Sequence, residues 1–366
     1  MKLHQIIAVL NEWAPPELQE SYDNAKLITG DSNWEISKAI ATLDCTEEVV
    51  DEAIEKGCNL IIAHHPIVFS GLKSLTGKSY IERTMIKAIK YDIAIFAMHT
   101  NLDHVSTGVN YKFGQKLGLE NLKVLSPKTG ILNKLYTYVP IAEAEKVRTA
   151  LFEAGAGNIG KYEECSFNAE GNGTFKAKAD AQPFVGKIGK RQIESEIKLE
   201  VLFESHLKGK ILNSLNTAHP YEEVAYEIVK LENQHQEIGS GMIGQILTSM
   251  SEDQFLKHVA KMMKCSVIRH TKKLGKEIKT AAICGGAGQF LLRSAIAAKA
   301  DVFITGDFKY HEFFDAENNI MIMDIGHFES EQFTAELIIE YLQEKFPTFA
   351  VLLSGVKTNP VHYFIS

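Results

Sequence analysis

The chain has little that would mark it for secretion, membranes or nucleic acid. Its 366 residues hold only five cysteines, Cys45, Cys58, Cys165, Cys265 and Cys284. They are odd in number and scattered, with no C-x-x-C pair, which argues against a zinc ribbon or a disulfide framework and fits a reducing cytoplasm. No apolar run reaches the roughly 18 residues of a membrane span. The start, MKLHQIIAVLNEWAPP, lacks the order of a secretory leader, so a cytoplasmic protein is expected. The net charge is -7 and no long Lys/Arg run occurs, which speaks against nucleic acid as a partner. There is no G-x-S-x-G elbow, and the GGAG stretch at Gly285 to Gly288 fits neither the G-x-G-x-x-G nor the Walker pattern. Covalent catalysis on a serine, a dinucleotide cofactor and a P-loop are therefore not expected.

What is present is an apolar fraction of 45% and a regular alternation of helix and strand. Near the start, helical patterns over Lys2–Trp13, Thr46–Lys56 and Ser79–Tyr91 alternate with strands at Ala39–Leu43, Leu60–Ala63 and Ile93–Ala97. Near the end, helices at Ser251–Lys261 and Phe290–Ala298 alternate with strands at Thr280–Cys284, Asp301–Thr305 and Ile320–Asp324. A long helix is expected over GHFESEQFTAELIIEYLQ. This order predicts two similar α/β halves with a mostly parallel sheet. The middle differs. Strand Leu135–Val139, helix Glu143–Ala154, a hairpin around AEGNG, strand Ser195–Phe203, helix Leu207–Leu215 and strand Val224–Leu231 give β-α-β-β-α-β. That is a ferredoxin-like α+β unit. The expected organisation is one core domain, from residues 1–132 and 234–366, interrupted by an inserted domain at 133–233.

Ligand sites in open α/β sheets lie beyond the carboxyl ends of strands. Three strand ends carry similar side chains. LIIA ends in His64-His65, IAIFA leads to His99 and Asp103, and IMIMD leads to His327 and Glu331. Imidazoles and carboxylates gathered there suit a divalent metal. His327 and Glu331 are four apart and share a face if a helix begins at His327. His64 and His65 diverge on extended backbone, and Pro66 favours a bend. Divergence fits two metals, each taking one histidine, with a carboxylate between them. A lone histidine at a strand end is more often a satisfied polar residue; the convergence of three strand ends carries the argument.

Weaker candidates surround these. Asp307, His311 and Asp315 in GDFKYHEFFDA would share one helical face and supply an acid/base or a hydrogen bond to a metal ligand. GGAG, Gly285 to Gly288, would hold an anion or only make a tight turn. His219, Tyr221, Glu222 and Glu223 gather in AHPYEEVAYEI; a polar turn entering a strand is the plainer reading.

Together, IIAHHP, HTNLD, TGDFKYHE and GHFESE resemble the Nif-three-like (YbgI/YqfO-like) family, whose bacterial members carry the name GTP cyclohydrolase type 2 homologues. The middle resembles the PII/CutA-like insert of its longer members. The resemblance implies a dinuclear metal site with His64, His65, Asp103, His327 and Glu331 as ligands. It also implies a toroidal homohexamer. One departure is Ala25-Lys26 in YDNAKLITG, where members commonly have Gly-Leu. Two functions stay open. One is a metal-dependent hydrolase of a nucleotide or another phosphate- or ring-bearing small molecule, with His311 or His99 moving protons. The other is a non-catalytic regulatory or chaperone-like metal protein whose insert senses a small ligand. The residues do not choose among zinc, iron, manganese and cobalt; zinc is expected first.

Overall fold

A computed structural model describes residues 1–364. In chain order, the first segment holds α1 (Leu3–Trp13), β1 (Leu27–Thr29), β2 (Lys38–Thr42), α2 (Glu47–Glu55), β3 (Leu60–Ala63) and α3 (Tyr80–Lys90). It continues with β4 (Ala94–Ala97), α4 (Thr100–His104), α5 (Val109–Lys116) and β5 (Leu119–Pro127). The middle holds β6 (Leu132–Pro140), α6 (Ala144–Glu153), β7 (Ser166–Lys176), β8 (Arg191–Glu204), α7 (Lys208–Ala218) and β9 (Tyr226–Lys230). The last segment opens with β10 (Gly239–Ser251), α8 (Glu252–Met262), β11 (Arg269–His270), β12 (Glu277–Ala287), α9 (Leu292–Ala297) and β13 (Val302–Gly306). It closes with β14 (Met321–Asp324), α10 (His327–Glu331), α11 (Thr334–Lys345) and β15 (Ala350–Leu353). The fold is mixed α/β with three sheets.

Local chemistry explains the helix starts. Thr46 accepts a hydrogen bond from the Val49 amide, and Ser79 accepts one from the Glu82 amide. Each occupies one of the amides that a first turn leaves without a helical partner. β3 is buried at all four positions, as expected for a parallel strand covered on both faces.

The chain divides into two compact units, residues 128–236 and the remainder. The remainder contains two sheets. One has the order β1-β4-β3-β2-β15, parallel except for β1. The other has the order β11-β14-β13-β12-β10-β5, with only β12, β13 and β14 parallel. β15 comes from the last segment but completes the first sheet. β5 comes from the first segment but completes the second. Each outer segment thus supplies an end strand to the other's sheet.

The unit 128–236 runs β6-α6-β7-β8-α7-β9 around an antiparallel sheet of order β7-β8-β6-β9. Val147 and Leu151 of α6 and Ile211 and Leu215 of α7 pack on Leu135, Val139, Leu199 and Val201.

Three local expectations are corrected. AEGNG is not a hairpin: β7 runs straight through Ala169–Gly173 and pairs with β8 along its whole length. The expected long helix after β14 is two helices, α10 and α11, interrupted at Gln332–Phe333. Asp307, His311 and Asp315 do not share an α-helical face. A 3-10 helix spans Tyr310–Ala316, and Asp307 precedes it with φ at 59°.

Candidate metal centre

Each sequence-predicted strand end delivers its side chains to one place. Beyond β3, the chain bends at His64 and His65, as Pro66 favours, with their amides donating to the Thr42 and Leu43 carbonyls. The two rings stand 4.9 Å apart between centroids. Beyond β4, α4 carries Asp103 one turn after His99. Beyond β14, α10 begins at His327 and places Glu331 one turn later. Three groups result, each with ligand atoms within 4.8 Å of one another: His64, His65 and His99; His65, His327 and Glu331; His64, Asp103 and Glu331.

Glu331 is shared by two of them and is only 4% exposed. Its Oε2 lies 3.0 Å from His65 Nε2 and 3.1 Å from His327 Nε2. Its Oε1 lies 3.8 Å from His64 Nε2. The two carboxylate oxygens therefore face different histidines of the adjacent pair.

The orienting bonds fix which ring nitrogens face the centre. His64 Nδ1 donates to the Met98 carbonyl at 2.8 Å. A carbonyl only accepts, so Nδ1 carries the proton and Nε2 offers a lone pair. That Nε2 and Asp103 Oδ1 are both buried without a hydrogen-bond partner, and they face each other at 3.6 Å. Two buried acceptors facing each other is a costly arrangement that a cation resolves. The donor set thus fits a metal ion. Asp44 holds His65 Nδ1 at 2.7 Å, Asp307 holds His327 Nδ1 at 2.7 Å, and Asp23 holds His99 Nδ1 at 2.8 Å. Carboxylates behind histidines are the usual means of orienting metal-ligating rings.

Without metal, protons take the role of cations. Burial opposes charge on His65, but hydrogen bonds to Asp44 and Glu331 outweigh it and raise its pKa to about 10. Burial likewise opposes charge on His327; Glu331 and Asp307 raise it to about 9. Burial, then repulsion from Glu331, pushes Asp103 up to about 7. Burial also opposes ionisation of Glu331, yet the surrounding imidazoles hold it well below the usual carboxylate range. The protons on His65 and His327 occupy the lone pairs that a metal needs.

GGAG has a different task from either one expected. The amides of Gly285, Gly286 and Gly288 donate to Asn110 Oδ1, Ser330 Oγ and Thr305 Oγ1. They are occupied and do not present an anion cradle. The segment continues β12 through Ala287 and makes room for Glu331: a Cβ on Gly286 would lie 2.5 Å from Glu331 Oε1. His311 lies outside all three groups; it is exposed, between the rings of Tyr310 and Phe314. Ala25 is buried, and the departure at Ala25-Lys26 leaves the neighbouring Asp23 on His99. Sequence reasoning did not single out Asp23 or Asp44. Asp44 follows the end of β2, so the strand-end rule applied to that strand points to it.

Buried histidines and carboxylates at strand ends of a mixed α/β fold define a protein able to hold one or two metal ions. The family profile of Duf34/NIF3 (NGG1p interacting factor 3) matches residues 1–360, and the chain belongs to that family. A Halalkalibacterium halodurans protein named GTP cyclohydrolase 1 type 2 homolog is 38% identical over 360 residues, 97% of each chain. A Bacillus subtilis protein of the same name is 36% identical over 362 residues, again 97% of each. The crystal structure of a Bacillus cereus protein related to NIF3 superposes with a TM-score of 0.86 at 35% identity, covering 100% of this chain and 99% of that one.

Proposed function

We propose that the chain holds two divalent metal ions, zinc first among them, and is a metal-dependent hydrolase of a small molecule. The observation that carries this is the sharing of Glu331 between two ligand groups, one oxygen toward His64 and the other toward His65 and His327. His64 and Asp103 would hold one ion, His65 and His327 the other, and Glu331 would bridge them. Bound there, the ions would supply Lewis acidity and ease the ionisation of water. His99 is the proton-moving residue in this reading. Its Nδ1 is anchored on Asp23, whose carboxylate accepts further bonds from the Thr100 amide and hydroxyl. That anchoring leaves Nε2 free to take or give a proton beside His64 and His65.

The substrate space is a cavity of about 490 Å³ lined by His65 and His327, with Arg269 and Tyr363 on its wall. That volume suits a small molecule; Arg269 is paired there with Asp324, so its charge does not single out a phosphate. The curated relatives' name points toward a GTP-like ring, a member of the wider class proposed. Purified protein should carry about two divalent metals per chain, as a two-metal centre requires. Metal-loaded protein should turn over at least one compound in a panel of nucleotides and phosphate esters. A protein that loads metal but hydrolyses nothing in the panel is instead the regulatory metal protein.

The order β6-α6-β7-β8-α7-β9 supports a ferredoxin-like insert within one core domain. Self-association into a closed ring, six subunits by family resemblance, is supported by the exposed Tyr310–His311–Phe314 cluster and by β7 at a sheet edge. A monomer mass by light scattering at micromolar concentration would refute it. The cytoplasm is the compartment proposed. No helix among the described residues is long and apolar enough to cross a membrane.

A further inference from the structure

The unit 128–236 contains a cavity of about 710 Å³. Glu196 of β8 forms part of its lining and is only 8% exposed. Its Oε1 accepts a hydrogen bond from the Tyr221 hydroxyl at 2.7 Å. Its Oε2 lies beside Gly173 of β7, where a Cβ would come within 2.0 Å of it. β7 passes through Gly173 as ordinary strand, so the turn chemistry of glycine is not what the position uses. The missing side chain keeps the space over the carboxylate open, a recognised role of glycine inside a strand.

Aromatic rings complete the wall. Phe175 and Phe184 flank Tyr221, with centroid separations of 6.2 Å and 6.3 Å. Tyr221 is fixed from two sides. Its hydroxyl is on Glu196, and its amide donates to His219 Nδ1 at 3.1 Å. His219 Nε2 donates to the Tyr138 carbonyl at 3.0 Å. Both nitrogens of His219 are thereby used, and the residue is a scaffold for Tyr221 rather than a ligand. Asp180, Glu222 and Glu223 also line the cavity. Lys176 and Lys178 stand there too, but both are exposed and free to extend into water.

The fixed, buried charge of this cavity is therefore negative and is set among ring faces. A carboxylate gives an ammonium or guanidinium a charge-assisted hydrogen bond, and ring faces attract the same cations. An anion would meet Glu196. We propose that this cavity binds a small organic cation, with an ammonium or guanidinium group on a short carbon chain seated against Glu196, Tyr221, Phe175 and Phe184.

The test uses the full chain and agmatine, which carries both groups, with glutarate as an anion of similar length. Calorimetric titration should show saturable agmatine binding and no glutarate binding. Glu196→Gln removes the charge while retaining an acceptor for Tyr221, and should weaken agmatine about tenfold or more. Gly173→Ala adds one methyl over Glu196 on backbone that tolerates it, and should weaken binding similarly. Circular dichroism checks that both variants fold. No agmatine binding up to millimolar concentration, preference for glutarate, or unchanged agmatine affinity in folded Glu196→Gln or Gly173→Ala would each overturn the proposal.

Discussion

Glu331→Gln should strip the centre of metal while leaving the fold intact. The substitution keeps the shape of the side chain but removes the charge and turns one oxygen into an amide that donates instead of accepting. In the proposed centre, that atom and its partner serve both ions at once. Even residues one step removed from a metal typically cost 10–100-fold in affinity when changed, so the shared ligand should cost more than about 100-fold for both ions. His64→Ala should behave differently. His64 faces Glu331 Oε1 and Asp103, whereas His65 and His327 converge on Oε2. Its loss should weaken one ion preferentially, leaving about one tightly held metal per chain. Titration of zinc into each variant, followed by elemental analysis, separates the outcomes, and circular dichroism confirms folding. Wild-type metal content in Glu331→Gln, or equal loss of both ions in His64→Ala and His65→Ala, would refute the shared carboxylate.

The strand ends were legible because a buried parallel strand is an unbroken apolar run, and polar residues immediately after it stand out. LIIA followed by His64-His65 is the clearest case. The one-turn spacing of His327 and Glu331 was legible for the same reason that helix faces are. The sheet edges were not. β5 and β10 pair far along the chain, and β1, β11 and β15 are short strands whose partners lie elsewhere in the sequence. Nothing local marks such pairings. The hairpin expected at AEGNG failed because glycines punctuate turns in most sequences. Here Gly173 leaves space beside a buried carboxylate on the neighbouring strand, which no single-strand pattern reveals. Asp307 was legible as the source of a hydrogen bond to a metal-ligand candidate and orients His327, but Asp23 and Asp44, which orient His99 and His65, each lie more than 20 residues from their histidine. Orientation of that kind is a tertiary property.

GGAG is the second place where a glycine's meaning lies in another element, and it yields the other large expected effect. Gly286 has φ at +61°, a region that costs an L residue about 1–2 kcal/mol. A Cβ there would also lie 2.5 Å from Glu331 Oε1 and 3.2 Å from His327 Cε1. The backbone has little freedom to retreat. The Gly286 amide donates to Ser330 Oγ at 2.9 Å, and that hydroxyl donates to the His327 carbonyl at 2.7 Å. The end of β12 and the first turn of α10 are thereby held together, and Glu331 must yield. Gly286→Ala should lower the thermal midpoint, consistent with a loss of about 1–3 kcal/mol, and weaken metal binding by tenfold or more, on the order of a displaced orienting residue. Gly285→Ala is the matched control. Its φ is not in the left-handed region, and its Cβ would meet Glu331 Cγ at 3.1 Å, so a shift of a few tenths of an ångström accommodates it. Calorimetric unfolding and zinc titration of the two variants side by side should show the larger loss in Gly286→Ala on both measures. If Gly286→Ala keeps wild-type stability and metal affinity, the glycine does not shape the centre, and the placement of Glu331 against β12 does not govern how it reaches the ligand groups.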